Sequence, residues 1–328
     1  MSGIGRRRFL AGGAATGLVL AAPSVARAQA WPEGRTITLI VPFPPGGGTD
    51  VVTRVIADRL ATMLKCRFVV ENRPGGGGSI GYLATVKAPP DGSVMMLTSS
   101  AVATMPYLYP SKGYDPLRDL TPVSQVGSTP SLICVGPSMK VGTLKELIAE
   151  AKARPDQLTY ASAGIGSGLH LGAELFNKMA GIRIKHVPYK GATQATSDLL
   201  GGRIDMIVDA LPSVQALVAD HKLRALAITT DKRSKLAPDI APASETVPGY
   251  RYAAWFGLFL PAKVPAGMAG QVQAALAKVM PETDFQEKTA ILGIDTLGST
   301  PSEFRAFMEA DLAQWARIIK ELGISADG

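Results

Sequence analysis

The chain has 328 residues, of which 46% are hydrophobic, enough to bury a core in one large domain or two modest ones. Its 19% charged content, without an uncharged apolar run of about 18 residues beyond the first thirty, excludes a largely disordered chain and a transmembrane bundle. The formal net charge is +7, but the first 28 residues carry four arginines and no acid, which leaves 30 basic and 27 acidic residues in the remainder. This small excess does not indicate a nucleic-acid partner.

The N-terminus has the features of an export signal. Three arginines, Arg6–Arg8, precede an apolar stretch over 9–22 and the small-residue motif Ala26-Arg27-Ala28. We therefore predict a signal peptide over 1–28, cleavage near Ala28 and a periplasmic mature protein. The arginines followed by Phe9 also fit the twin-arginine pattern, and the choice between the two export routes stays open. A membrane anchor is the alternative, but the apolar stretch is shorter than the roughly 20 residues that a span needs.

The first part of the mature chain alternates strands and helices. We predict strands over 36–41, 68–70 and 94–98, and helices over 50–64 and 79–86. The first helix places one apolar face inward, formed by Val51, Val52, Val55, Ile56, Leu60 and Met63. This alternation favours a parallel, doubly wound sheet.

The same alternation restarts near residue 132. Predicted strands at 132–135, 158–162, 184–187, 204–208 and 223–228 alternate with helices at 144–153, 167–179, 192–200 and 214–219. A long apolar strand over 252–260 then precedes helices at 266–279 and 301–322, the last signposted by a capping box of Thr300 and Glu303. With crossovers near 126 and 252, we expect two α/β lobes, 29–127 with 253–328 and 128–252, and a ligand cleft between them.

A glycine-rich loop follows the first strand and leads into a helix. It contains Phe43, Pro44, Gly46, Gly47, Thr49 and Asp50. The exposed N–H groups and the dipole of a helix N-terminus attract an anion, and glycines let a ligand approach the backbone. A tight turn that needs glycine for its backbone angles alone explains the same pattern, and the charge of Asp50 disfavours a bare phosphate.

Two loops of the second unit repeat this chemistry. The first, at 160–170, contains Ala163, Gly164, Ser167 and His170, where packing or capping is the alternative role for His170. The second contains Tyr189, Lys190 and Gly191. Lys190 is the cation of the three loops and could bind the ligand; the alternative is a solvent-exposed loop charge. Ser99, Ser100 and Ala101 follow the third strand at the same end of the first lobe, and Asp209 is counted with them as a ligand contact.

Signatures of catalysis and of metal binding are weak or missing. Residues 76–81 match the dinucleotide pattern G-x-G-x-x-G, but the acidic ribose partner about 20 residues later is missing. No Walker A motif or nucleophile elbow occurs, and the three histidines lack metal-ligand spacing. We predict no cofactor, no metal and no enzymatic activity. Cys66 and Cys134 need not be bonded, and Cys134 fits a small buried apolar residue.

Taken together, four segments resemble the Bug-type solute receptors of tripartite tricarboxylate transporters. The segments are 43–50, Asn72–Gly76, 163–174 and 187–200. The resemblance covers nearly all of the mature chain. It implies a two-lobed periplasmic-binding-protein fold of type II-like organisation, and a carboxylate held by backbone amides, hydroxyls and waters.

The leading hypothesis is a periplasmic receptor, expected to be a monomer, that closes on a small organic carboxylate and hands it to membrane permease subunits of such a transporter. A sensory receptor and a secreted hydrolase or isomerase with His170 or Asp50 as base are the alternatives. The acid itself stays open, and Phe43, Tyr189 and Trp255 are candidates for an apolar floor.

Overall fold

A computed structural model describes residues 31–46, 48–162, 164, 167–189, 192–323 and 325. The predicted signal peptide lies outside the described residues, as do four residues of the predicted ligand loops, Gly47, Ala163, Lys190 and Gly191.

Strands and helices alternate along most of the chain. The strands are β1 Thr36–Val41, β2 Arg67–Asn72, β3 Val94–Ser99, β4 Leu120–Val135, β5 Thr159–Ser162, β6 Lys185–Pro188, β7 Met206–Ala210, β8 Arg224–Ile228, β9 Ala253–Pro261 and β10 Asp295–Thr296. The helices are α1 Gly48–Leu64, α2 Ser79–Val86, α3 Ala101–Leu108, α4 Pro116–Asp119, α5 Leu144–Ala153, α6 Gly168–Ala180, α7 Ala192–Leu200, α8 Leu211–Ala219, α9 Met268–Val279, α10 Thr283–Ile291 and α11 Pro301–Leu322.

The strands form two sheet halves with the same order. In the first, β1 pairs in parallel with β2 and β3, and β9 lies antiparallel between β3 and β4. In the second, β5 pairs in parallel with β6 and β7, and β4 lies antiparallel between β7 and β8. We call the half built on β1, β2, β3 and β9 the first lobe, and the half built on β5, β6, β7 and β8 the second lobe. The predicted two-lobed α/β fold is confirmed.

Strand β4 belongs to both halves because it is 16 residues long. Through Pro130 it pairs with β9, and from Ser131 onward it pairs with β7 and β8. The sequence predicted only its last four residues as a strand, together with a crossover near 126. Its first half escaped the prediction because Pro122 interrupts the strand pattern, and the register with β9 shifts at that residue.

The helices bury the faces that their apolar spacing predicts, with one exception. In α1, Val52, Ile56 and Leu60 are fully buried, whereas Met63 is 38% exposed, so the predicted apolar face ends one turn early. Helix α11 begins with the predicted capping box of Thr300 and Glu303, and its buried residues recur every three or four positions. This helix packs against α3 and β4 and thereby reaches the junction of the lobes.

Three helices were not predicted, α3, α10 and the four-residue α4. Helix α3 is almost wholly buried and contains Pro106, so it shows neither an amphipathic stripe nor a clean start. Helix α10 is polar and buries only Phe285 and Thr289. Both cysteines are free, and Cys134 is completely buried, as its sequence context predicts. Within the described ranges, no helix combines the length and apolar character of a membrane span.

Candidate functional site

Three chain segments meet where the two lobes join. Thr229 donates its backbone N–H to the carbonyl of Ser131 at 2.9 Å, and its own carbonyl accepts the N–H of Tyr252 at 2.9 Å. The side-chain Oγ1 of Thr229 also accepts the N–H of Ser131 at 3.0 Å. Because these residues lie close to the two points where the chain passes between the lobes, we call this cluster of Ser131, Thr229 and Tyr252 the hinge cluster.

A cavity of about 210 Å³ opens beside the hinge cluster, between the lobes. The first lobe contributes the start of α3, and the second lobe contributes the start of α6. Strand β9 and α11 close the cavity with apolar and aromatic groups. The lining residues are Ser99, Ser100, Ala101, Thr104, Gly168, Leu171, Tyr252, Ala253, Ala254 and Trp315.

The N-terminal ends of two helices converge on this cavity. Ser99 is the last residue of β3, Ser100 and Ala101 begin α3, and Gly168 begins α6. The hydroxyl of Ser100 makes no capping bond to α3, so it is available to a guest. None of the described residues that line the cavity is charged. Helix dipoles, backbone N–H groups and hydroxyls therefore provide its attraction for an anion.

Two glycines of α6 position the aromatic wall. A Cβ at Gly168 would overlap the hydroxyl of Tyr252, and one at Gly172 would lie 2.8 Å from its Cδ1. The ring of Tyr252 therefore lies directly on the helix, and it packs edge-to-face on Trp315 with ring centres 6.2 Å apart. A side chain at either position would therefore displace Tyr252, which lines the cavity.

Asp50 holds the loop between β1 and α1 in place. Its carboxylate accepts the N–H of Gly46 at 2.9 Å, two N–H groups of Arg54 at 2.9 and 3.1 Å, and the amide of Asn72 at 2.9 Å. Asn72 also donates to the carbonyl of Phe43 at 3.1 Å. Burial alone would raise the pKa of Asp50, but the hydrogen bonds from Arg54, Gly46 and Asn72 outweigh it and lower this pKa to about 2. Both oxygens are thus occupied within the loop.

A stack of three rings supports the corresponding loop of the second lobe. His186 lies between Tyr160 and His170, with ring centres 4.9 and 4.1 Å away. Nε2 of His186 is 2.6 Å from the hydroxyl oxygen of Ser162, which also bonds the backbone of Gly164 at 3.1 Å. Through Ser162, the ring stack is therefore hydrogen-bonded to the loop that follows β5.

The same stack is neutral at neutral pH. Burial, and next the neighbouring His186, lower the pKa of His170 to about 4, and burial also lowers the pKa of His186. Burial raises the pKa of Glu174, whose carboxylate accepts the hydroxyl of Tyr160. His170 is 5% exposed and does not line the cavity, so the geometry favours the packing role over the ligand contact.

The other predicted site residues lie apart from the cavity lining. Phe43 packs near Gly78, and Tyr189 donates its hydroxyl to Asp198 at 2.7 Å. Ser167 caps α6 through the N–H of His170 at 3.4 Å. The remaining residues that the structure describes in this group, Pro44, Gly46 and Thr49, lie in the β1–α1 loop and the first turn of α1.

Asp209 lies at the end of β7, 3% exposed. One carboxyl oxygen accepts the N–H of Ala210 at 2.7 Å, and the other is buried without a hydrogen-bond partner. Burial raises the pKa of this carboxyl group.

Sequence reasoning found Ser99, Ser100 and Ala101 but missed the aromatic wall. Tyr252 and Trp315 are brought to the cavity by β9 and α11, far along the chain from the loops that carry the glycine motifs. Trp255, which was expected on the cavity floor, instead points toward α11, where its Nε1 donates to Asp311 at 3.0 Å. Only the long-range fold reveals these positions.

The chemistry of the described groups suits binding rather than catalysis. With pKa values of about 2 and about 4, Asp50 and His170 are weak bases at neutral pH. Among the described residues, no cluster of three or more His, Cys, Asp or Glu is arranged to hold a metal ion.

Several proteins of known sequence or structure are similar to this chain over most of its length. BugT of Bordetella pertussis is 36% identical over 292 residues, covering 88% of this chain and 90% of BugT. Among solved structures, R. palustris Rpa4515 with adipate is 34% identical with a TM-score of 0.74, covering 89% of this chain and 98% of that one. MatC from Rhodopseudomonas palustris, with bound malate, is 26% identical with a TM-score of 0.70, covering 87% of this chain and 99% of that one.

The sequence also matches, over residues 52–324, the family described as the tripartite tricarboxylate transporter family receptor. Its members are substrate-binding receptors, not enzymes, and the similar structures are two-lobed periplasmic binding proteins. The chain thus belongs to the tripartite tricarboxylate transporter receptor family, whose Bug-type members it resembles in sequence and fold.

Proposed function

We propose that the protein captures a small organic carboxylate between its lobes in the periplasm and delivers it to the membrane permease of a tripartite tricarboxylate transporter. The uncharged cavity between the starts of α3 and α6 carries this proposal. Helix N-termini and hydroxyls bind an anion without a fixed counter-charge, and such a site releases its guest more readily than an arginine clamp. Adipate and malate bound to similar receptors support this ligand class.

The boundaries of the lobes are part of the proposal. We assign 29–127 with 253–328 to the first lobe and 128–252 to the second. Strand β4 exchanges its partners between Pro130 and Ser131, close to the first boundary, and Tyr252 of the hinge cluster lies at the second. The loop residues counted as ligand contacts, Gly46 and Gly164 among them, would approach the guest when the lobes close.

Calorimetric titration of the purified protein with adipate, malate and citrate tests the ligand class. We expect one of these acids to bind without chemical change. Ser100→Ala should weaken that binding about tenfold, because a hydrogen bond to a charged group contributes roughly 1.5 kcal/mol or more. Ser302→Ala, on the exposed start of α11, is the matched control and should bind like the wild type.

If Ser100→Ala and the wild type bind the acid with equal affinity, the interlobe cavity is not the binding site. Delivery to a permease is tested separately by deleting the gene and measuring uptake of the labelled acid. We expect uptake to fall to background. Retained uptake with lost induction by the acid would instead indicate a sensory receptor.

A further inference from the structure

A second cavity, of about 260 Å³, shares Tyr252, Ala253 and Trp315 with the interlobe cavity. Residues from the three segments that meet at the hinge cluster line it, together with one face of α11. We call it the hinge pocket. Its lining residues are Gln125, Ser128, Thr230, Asp231, Arg251, Tyr252, Ala253, Trp255, Leu297, Phe307, Asp311, Gln314 and Trp315.

Four aromatic residues line the hinge pocket: Tyr252, Trp255, Phe307 and Trp315. Trp255 and Phe307 meet edge-to-face with ring centres 5.7 Å apart and planes at 87°. Trp315 adds a second indole, whose partner Tyr252 closes the side toward the interlobe cavity. Such perpendicular rings offer both faces and edges to a flat guest, which is the arrangement that aromatic pairs prefer.

A guanidinium stands at the mouth of this aromatic pocket. Arg251 is exposed, and its Cζ lies 5.6 Å from the centre of the Phe307 ring. Within the described part of the chain, no carboxylate lies at ion-pairing distance from Arg251. Its N–H donors therefore remain free for a carboxylate, which a guanidinium binds through two parallel hydrogen bonds.

The hinge pocket also contains two acidic residues, Asp311 and Asp231, and neither forms an ion pair with Arg251. Asp311 is 8% exposed, and its Oδ2 accepts the indole N–H of Trp255 at 3.0 Å. Burial raises the pKa of Asp311, and the indole N–H of Trp255 and the nearby charge of Arg251 partly oppose this shift. Asp231 is exposed at the rim, where water screens its charge.

We propose that the hinge pocket is a second binding site, for a small aromatic monocarboxylate. The ring lies against Trp255 and Phe307, and the carboxylate bonds to Arg251. Drug-sized ligands occupy pockets of roughly 300–1,000 Å³, so the smaller hinge pocket selects a single-ring acid. The aromatic wall of Tyr252 and Trp315 is shared with the interlobe cavity, so the occupants of both cavities contact the same pair of rings.

The three indole N–H groups of the protein, in Trp31, Trp255 and Trp315, report which cavity is occupied. We would titrate the purified full chain with benzoate and follow these three signals by nitrogen–proton correlation spectroscopy, assigned with single Trp→Phe variants. Benzoate should move the Trp255 signal, whose N–H faces Asp311 inside the hinge pocket, and leave Trp31 unmoved. Benzyl alcohol, which keeps the ring without the carboxylate, should bind at least about tenfold more weakly.

Arg251→Gln is the decisive variant, because glutamine keeps a polar side chain but not the fork of charged donors. We expect it to weaken benzoate binding about tenfold or more, whereas Arg305→Gln, which replaces an exposed arginine of α11, should titrate like the wild type. A Trp255 signal that stays fixed while Trp315 moves would place benzoate in the interlobe cavity and overturn the proposal. Equal affinities of Arg251→Gln and wild type would overturn it as well.

Discussion

The two lobes share one strand order but hold their corresponding loops in opposite ways. Each places a glycine-rich loop after its central strand, β1 in the first lobe and β5 in the second. In the first lobe an ionised carboxylate, Asp50, fixes the loop from within, and in the second a neutral ring stack supports it from behind. Two lobes with the same strand order therefore support their glycine-rich loops with a charged group in one case and with neutral groups in the other.

The comparison predicts that the lobes lose stability in different pH ranges. The pKa of His170 is lowered from 6.5 to about 4 in the folded state. The unfolded chain therefore binds a proton first as the pH falls, so stability that is complete above pH 6.5 declines toward pH 4. The largest effect we expect is a loss of about 2–3 kcal/mol from this residue across that range.

Replacing His170 by Phe should keep the stacked packing and remove this contribution to the pH dependence. Urea unfolding of His170→Phe and wild type at pH 6.5 and below measures the difference in slope. His221→Asn, at an exposed position with a left-handed backbone, is the control and should keep the wild-type slope. His186 leaves a residual slope, and Glu174 opposes it because its pKa is raised. Identical slopes in His170→Phe and wild type would break the comparison.

The first lobe should respond only at a lower pH. Asp50→Asn removes the charge that Arg54 and Asn72 hold, and we expect it to cost about 1–2 kcal/mol at neutral pH, since Arg54 is half exposed and solvent weakens its share. Because the folded pKa is depressed, this deficit shrinks as the pH falls from 3.8 to about 2. Urea midpoints across this range, with exposed Asp58→Asn as control, measure it. A deficit that already shrinks above pH 5 would contradict the assignment to Asp50.

The smallest effect concerns the two serines at the helix starts. Ser167 caps α6, whereas Ser100 makes no cap on α3. Ser167→Ala should therefore lower the free energy of unfolding by about 1 kcal/mol, and Ser167→Asp should restore it. Ser100→Ala should leave stability unchanged and affect ligand affinity alone. Thermal unfolding of the three variants tests this distinction, and equal losses in both alanine variants would refute it.

The sequence predicted local elements well and long-range contacts poorly. The starts of α5 and α11 were predictable because Thr143 and Thr300 form capping boxes with residues three positions later. Helix α3 was not, because burial on all sides removes the periodic pattern. The site divides in the same way: the serines after β3 follow from strand topology, whereas Tyr252 and Trp315 reach the cavity only through tertiary packing.

The position of β9 has a consequence for the order in which the lobes are completed during synthesis. Every strand of the second sheet half lies within the continuous stretch from Ser131 to Ile228. The first sheet half has a gap between β3 and β4 until Ala253–Pro261 has been made. Local pairings form sooner than pairings between distant segments. We therefore expect the second lobe to complete its sheet first. Until β9 has been synthesised, the facing edges of β3 and β4 stay unpaired and exposed, and chaperones would shield them during this interval.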